Sequence, residues 1–366
     1  MKEDLRRYNL WLAFTAGLRP MRHNELIEEY GSAYDVFLAA ARGDIPSKTA
    51  ADGRMLALMK AKAEEGYIDR CLEYLHNQNI SVVLFKDKNY PALLREIHSA
   101  PAALFVKGRL PDKIRLPIAV IGSRRCSDYG RKAAEMISGQ LAECGACIVS
   151  GLAYGLDRVA AEGALDAEGN DYPTIAVLGN GPNVVYPSVN RDVYDLIAKR
   201  GAIVSEFMPG IAPTPSHFPM RNRIISGLSR GVIVVEAREK SGTFITVDCA
   251  LEQGRDVFAI PGRVSDELSM GTNNLIREGL AKITLSAEDV LEEYGIKPMA
   301  EERKAVTPAE LSFEQELIHR LLMAGERTYD ELAELTGFDA GMLNSTLTAM
   351  EFSGIIKQSV GRLFSL

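Results

Sequence analysis

The sequence predicts an α/β protein with a mostly parallel sheet covered by helices on both faces. Two observations predict this. Between Pro117 and about Gly295, short and almost uninterrupted apolar runs alternate with stretches of helical periodicity. The runs also lack the in–out alternation of a half-exposed strand, as strands buried on both faces must. A third observation concerns organisation. The chain has 366 residues, enough for two or three domains, and its character changes near Ile80 and again near Lys297.

Residues 1–78 read as helices. Leu5, Tyr8 and Leu12 recur at helical spacing, and so do the apolar residues of Asp69–Leu75. Gly17-Leu18-Arg19-Pro20 and Gly31 break the pattern. Small helical modules of this kind, helix-hairpin-helix or SAM-like, serve either phosphate contact or protein contact. Residues 79–295 are the expected core. Ser81–Phe85 and Ala103–Val106 read as strands, the second ended by Gly108. Seven more follow at Ile118–Ile121, Cys147–Val149, Thr174–Leu178, Ile203–Val204, Val232–Val235, Val257–Ile260 and Ile283–Leu285, a Rossmann-like order. Residues 296–310 are polar and aperiodic, hence a linker. Residues 311–366 read as helices Phe313–Met323, Tyr329–Leu335 and Gly341–Glu351, then strands Ile355–Gln358 and Arg362–Ser365 turning at Val360-Gly361. That is a winged-helix outline.

Composition narrows the function classes. Hydrophobic residues make up 46% and charged residues 25%, enough apolar content for a buried core. No apolar run approaches the roughly 20 residues needed to cross a bilayer. Charges interrupt MKEDLRRYNLW at once, so no export signal is read and a cytoplasmic location is expected. Cys71, Cys126, Cys144, Cys147 and Cys249 are then expected as reduced thiols. The Cys144–Cys147 spacing has no second ligand pair nearby, so neither metal nor cofactor is expected. The net charge of −7 is unevenly placed. From Thr307 to Leu366 nine acids face four bases, whereas from Arg115 to Lys132 five bases face one acid. The third winged-helix helix has no Lys or Arg, so it is not expected to read DNA.

Four strand-to-helix turns could carry chemistry. The first is Ile121-Gly122-Ser123-Arg124, where Gly122 admits an anion to the backbone and Ser123 and Arg124 add donors. The alternative is an ordinary turn with an exposed arginine. The second is Ser150-Gly151-Leu152-Ala153-Tyr154-Gly155-Leu156-Asp157, with Gly151 permitting close approach and Asp157 read as a helix cap. The third is His217-Phe218-Pro219-Met220-Arg221-Asn222-Arg223. It offers cations, an amide and a flat ring for an unstacked base, unless Phe218 is core and the arginines pair with acids. The fourth is Glu239-Lys240-Ser241-Gly242-Thr243-Phe244-Ile245-Thr246, whose Ser-Gly-Thr sets hydroxyls and amides at a helix start, unless Thr243 simply caps that helix. Carboxyl ends of parallel strands share one edge, so these turns should converge. Several adjacent phosphate seats suit a polyanion better than one small nucleotide. The five histidines are scattered, and GxGxxG, GxSxG and Walker A patterns are absent.

Together these motifs resemble the DNA-processing protein A family, also called Smf. The residues are IAVIGSR (118–124), VSGLAYGLD (149–157), IAVLGNG (175–181), VVYP (184–187), SEF (205–207), HFPMRNRII (217–225), VIVVEA (232–237), SGTFIT (241–246), ALEQGRDVFAIPG (250–262), GTNNLIREG (271–279) and SAEDVL (286–291). The resemblance covers the whole α/β core. It implies a homodimeric, non-catalytic protein that binds single-stranded DNA and hands it to the RecA recombinase during natural transformation. Carried over, phosphate contacts fall on Gly122, Ser123, Arg124, Arg221, Arg223, Ser241, Gly242 and Thr243, and a base contact on Phe218. Many family members carry Lys where Pro215, Ser216 and Ser188 stand here, so fewer counterions should be released on binding. The competing reading is a nucleotide phosphoribohydrolase with a GGxGTxxE phosphate loop. SGTFIT shares the Gly-Thr, but Thr246 stands where the chemistry needs glutamate.

Overall fold

Nine strands form one sheet, whose central strands β3, β4, β5, β6 and β7 are buried along their whole length while the edge strand β9 stays exposed. The computed structural model describes residues 2–16, 20–47, 50–296, 311–323, 325–352, 355–359 and 363–365. The strands are β1 (Ile80–Leu84), β2 (Ala103–Gly108), β3 (Pro117–Ile121), β4 (Cys147–Ser150), β5 (Thr174–Leu178), β6 (Ala202–Ser205), β7 (Gly231–Val234), β8 (Asp256–Ala259) and β9 (Lys282–Ile283). Their order in space is β1-β2-β6-β5-β4-β3-β7-β8-β9. Seven strands from β6 to β9 are parallel, and β2 and β1 extend the sheet antiparallel beyond β6.

The two faces follow the strand period of two. Ala119, Val149, Val177, Val232 and Val234 face a layer holding Ile224, Ile225, Val247 and Ala250, from helices His217–Gly227 and Thr243–Glu252. Ile118, Val120, Ile148 and Ile233 face the opposite layer, with Ile137 and Leu141 of Asp128–Glu143 and Val159 of Leu156–Asp166. The chain starts its parallel run at β3 in mid-sheet, winds outward through β4, β5 and β6, then returns to lay β7 on the other side of β3. At such a reversal the connecting segments diverge to opposite faces and open a crevice at the strands' carboxyl ends.

The chain divides into two compact units, Met1–Ile296 and Lys297–Leu366. The helices preceding β1 therefore share a unit with the sheet. Trp11 is fully buried among Leu12, Leu26, Val36 and Met59, and its indole donates to the Lys62 carbonyl at 2.8 Å. Leu10, Phe14 and Leu75 form a second cluster with Leu84 and Phe105, the rings of Phe14 and Phe105 lying 5.8 Å apart and nearly parallel.

The C-terminal unit has helices Phe313–Met323, Tyr329–Thr336 and Ala340–Phe352 and a three-stranded sheet. Its strands are β10 (Arg327–Thr328), β11 (Lys357–Ser359) and β12 (Leu363–Ser365), in the order β10-β12-β11. Thr328 and Glu331 form a reciprocal capping box, and Gly337 ends that helix in the left-handed conformation. β10, only two residues long and too short to show a strand period, turns the expected hairpin into a small sheet. The linker residues 297–310, the Val360-Gly361 turn and Gly17–Arg19 lie outside the described residues. No helix among the described residues is long and apolar enough to cross a membrane.

Candidate functional site

All four turns contribute residues to the crevice between β3 and β7, around a pocket of about 630 Å³. Gly122, Ser123 and Arg124 come from the β3 turn, and Ser241, Gly242 and Thr243 from the turn after β7. Phe218, Arg221 and Asn222 come from the helix His217–Gly227, and Ala153 and Asp157 from the β4 turn. Gly151 and Arg223, expected in the site, are not among its lining residues.

Each turn has a distinct task. Arg124 is exposed and, among the described residues, no carboxylate pairs with it; its guanidinium carbon lies 5.5 Å from the centre of the Phe218 ring. Ser123 does not present free donors. Its amide donates to the Glu236 carbonyl at 2.9 Å, and its hydroxyl donates to the Arg125 carbonyl at 2.8 Å. Those bonds shape the turn that pushes Arg124 outward. Gly122 is needed for packing, because a Cβ there would collide with Leu156 and press on the Glu236 backbone.

The helix Asp128–Glu143, whose N-terminus follows the first turn, is not an anion seat. The Glu236 carboxylate already fills it, accepting from the Ser127 amide at 3.0 Å and from the Ser127 hydroxyl. The open seat belongs to the helix Thr243–Glu252. The Ser241 hydroxyl accepts from the Thr243 amide at 3.2 Å and donates to the Thr243 hydroxyl at 2.9 Å. The amides of Ser241 and Gly242 make no hydrogen bond within the described residues, and nothing lies within 4 Å of a Cβ built on Gly242. Unsatisfied amides at the positive end of a helix dipole, with free space before them, favour an anion.

The expected cations divide. Arg221 is buried, donating to the Gly151 carbonyl at 2.8 Å and to the Val177 carbonyl. Burial lowers its pKa to about 10 against the pull of Asp157, while burial raises that of Asp157 against the pull of Arg221. Gly151 is correspondingly structural. A Cβ there would lie 2.5 Å from the Arg221 guanidinium, and its amide donates to Asp157 Oδ2 at 3.0 Å. Asp157 thus clamps the loop that precedes its helix and does not cap that helix. Arg223 is absent from the pocket lining, and its Nη2 donates to both oxygens of buried Glu206, at 2.6 and 2.7 Å. The free phosphate fork expected from the Arg221–Arg223 pair is therefore corrected to one buried brace and one buried ion pair. Asn222 lines the pocket with its Oδ1 accepting from Arg221 Nε at 3.3 Å.

Three polar lining residues carried no assigned role in the sequence. Lys240 stands without an ion-pair partner among the described residues, Arg238 pairs with Glu267 at 3.2 Å, and Tyr186 lies beside Phe218. Lys240 directly precedes Ser241-Gly242-Thr243, a position that could have flagged it. Among the described residues Asp157 is the single carboxylate lining the pocket, and Arg221 offsets it. The five cysteines are free thiols, and burial pushes the Cys147 pKa up.

A sequence model of the family described as DNA recombination-mediator protein A matches residues 81–295, more than half of the chain. The chain belongs to this family. A model of the DprA winged helix domain matches residues 302–362. The DNA processing protein DprA of Streptococcus pneumoniae is 49% identical over 209 residues, 57% of this chain and 72% of that protein. Protein Smf of Escherichia coli is 38% identical over 296 residues, 79% of this chain and 78% of that protein. Among solved structures, DNA processing protein A from S. pneumoniae superposes with a TM-score of 0.67 at 40% identity, over 78% of this chain and 97% of that one. DNA processing protein A from Helicobacter pylori, described for its unique single-stranded DNA binding mode, gives 0.53 at 30% identity, over 59% of this chain and 95% of that one. The pocket and its four turns all fall inside the matched residues 81–295.

Proposed function

We propose that this chain is a non-catalytic, sequence-independent single-stranded DNA-binding protein. It acts in the cytoplasm as a homodimer and passes the bound strand to the RecA recombinase. One observation carries the reading: Arg124, an exposed cation with no carboxylate partner among the described residues, stands over an aromatic ring at the mouth of the pocket. Lys240 and the open amides before the helix Thr243–Glu252 add two further anion seats around the same space. A chain of phosphates occupies several such seats at once, whereas one nucleotide monophosphate fills one. Contacts to phosphates carry no sequence information, and any base can stack on an aromatic ring, so sequence independence follows.

The H. pylori relative, similar in fold and sequence, supports the same ligand. The family's description as a recombination mediator supports the hand-over, with RecA as the recombinase that the resemblance implies. Against the phosphoribohydrolase alternative stands Thr246, which lines the pocket where that chemistry needs a carboxylate. Asp157 is engaged by loop amides and Arg221. For the homodimer we point to the sheet's edge at β9, where Ile283 and Leu285 are 49% and 66% exposed. Exposed apolar side chains at a sheet edge are normally covered, and a second copy is the cover we assign to them.

The test is a mobility-shift titration with oligo-dT at about 50 mM salt, low enough to retain phosphate contacts. Binding that weakens as salt rises and falls on Arg124→Ala is expected. No binding, or binding indifferent to Arg124→Ala, would remove the reading.

A further inference from the structure

Phe218 is not the most open ring in the pocket. It is partly buried: a Cβ built on Gly179 would lie 3.1 Å from its Cδ1, and the Arg124 guanidinium lies 5.5 Å from its centre. Tyr186 is the ring that faces outward. It lines the same pocket, is 40% exposed, and its hydroxyl makes no hydrogen bond among the described residues. The ring centres of Tyr186 and Phe218 are 5.6 Å apart, with planes tilted by 31°. A base between them would need two stacking steps of about 3.4 Å each, or roughly 7 Å of separation. The rings stand too close for that. They form one continuous platform, and its free surface belongs to Tyr186.

We propose that Tyr186 is a base-stacking residue of the single-strand site. One base of the bound strand lies on its outer face, Phe218 backs it, and Arg124 takes a neighbouring phosphate. Stacking on an aromatic side chain tolerates any base, so this platform adds affinity without adding sequence preference. The proposal rests on the single-strand reading above and names a residue which that reading leaves unassigned.

The experiment compares oligo-dT with an abasic strand of equal length, on the full chain and on Tyr186→Phe, Tyr186→Leu and Arg124→Ala. Tyr186→Phe keeps the ring and should bind both strands as the parent does. Tyr186→Leu keeps bulk but loses the ring. It should weaken oligo-dT binding by about 5- to 150-fold and leave the abasic strand nearly unaffected. An oligomer carrying 2-aminopurine should be quenched on binding the parent and not on binding Tyr186→Leu. Equal losses on both strands would make Tyr186 a packing residue and overturn the proposal, as would no loss on either. Arg124→Ala separates the two failures. It should weaken both strands alike, and if it weakens neither, the single-strand reading itself falls and takes this proposal with it.

Discussion

Replacing Arg223 by alanine would strand the Glu206 carboxylate in a site where burial already raises its pKa. Removing one partner of a buried pair costs about 3–5 kcal/mol, so Arg223→Ala should unfold at clearly lower denaturant. Adding Glu206→Gln should recover part of the loss, and the folded fraction of either variant should bind oligo-dT with parental affinity. A loss of affinity as large as that of Arg124→Ala would instead put Arg223 on the strand. The sequence held a clue to this division. Arg221 lies three and four positions before Ile224 and Ile225, which are core, so it shares their face and is drawn inward; Arg223, two positions on, cannot share it. Reading the two arginines as a pair ignored the turn of the helix. His23 offers a second test at this scale. It is buried, and burial, with Lys86 nearby, lowers its pKa to about 4. The unfolded chain binds a proton near pH 6.5, so stability is fully present above that pH and is lost as pH falls towards 4. The drop amounts to about 3 kcal/mol. Thermal unfolding of the parent should show this slope, and His23→Gln should flatten it.

The helices Asp128–Glu143 and Thr243–Glu252 both begin at the carboxyl edge of the sheet, and of these two only the second has an open N-terminus. Both follow Gly- or Ser-containing turns, so local sequence gave them equal standing. The difference comes from Glu236, which ends the run after β7 and fills the seat before Asp128–Glu143 from 109 residues away in sequence. No local pattern reports that distance. The convergence of the turns, by contrast, was legible, because it follows from strand direction alone once the sheet is parallel. The open helix can be tested directly. Gly242 has φ −63° and free space for a side chain. Gly242→Asp should place a carboxylate at the positive helix end and raise stability slightly, by about 0.3–1 kcal/mol. It should also weaken oligo-dT binding, because the carboxylate occupies the phosphate seat. Opposite signs for stability and binding are the expected signature. A variant that binds as the parent does would show that the strand bypasses this helix.

A chain with net charge −7 that binds a polyanion must keep its acids away from the strand. In the C-terminal unit the exposed face of Ala340–Phe352 carries Met342, Asn344, Ser345, Thr348, Ala349 and Glu351 and offers a phosphate chain no cation among the described residues. A chain ending at Ile296 should accordingly bind oligo-dT within about twofold of the full protein, as independent units do. Charge also fixes the salt dependence. Arg124 and Lys240 are the pocket's unpaired exposed cations among the described residues, and Arg238 joins them only by leaving Glu267. At about −0.7 per neutralised phosphate, the slope of log K against log salt should be about −1.4 per protomer, or about −2 with Arg238 engaged. Lys240→Ala should reduce its magnitude by about 0.7. A much steeper slope would mean that the strand runs beyond the pocket onto other cations, and an unchanged slope in Lys240→Ala would place the phosphates on the Arg124 side alone.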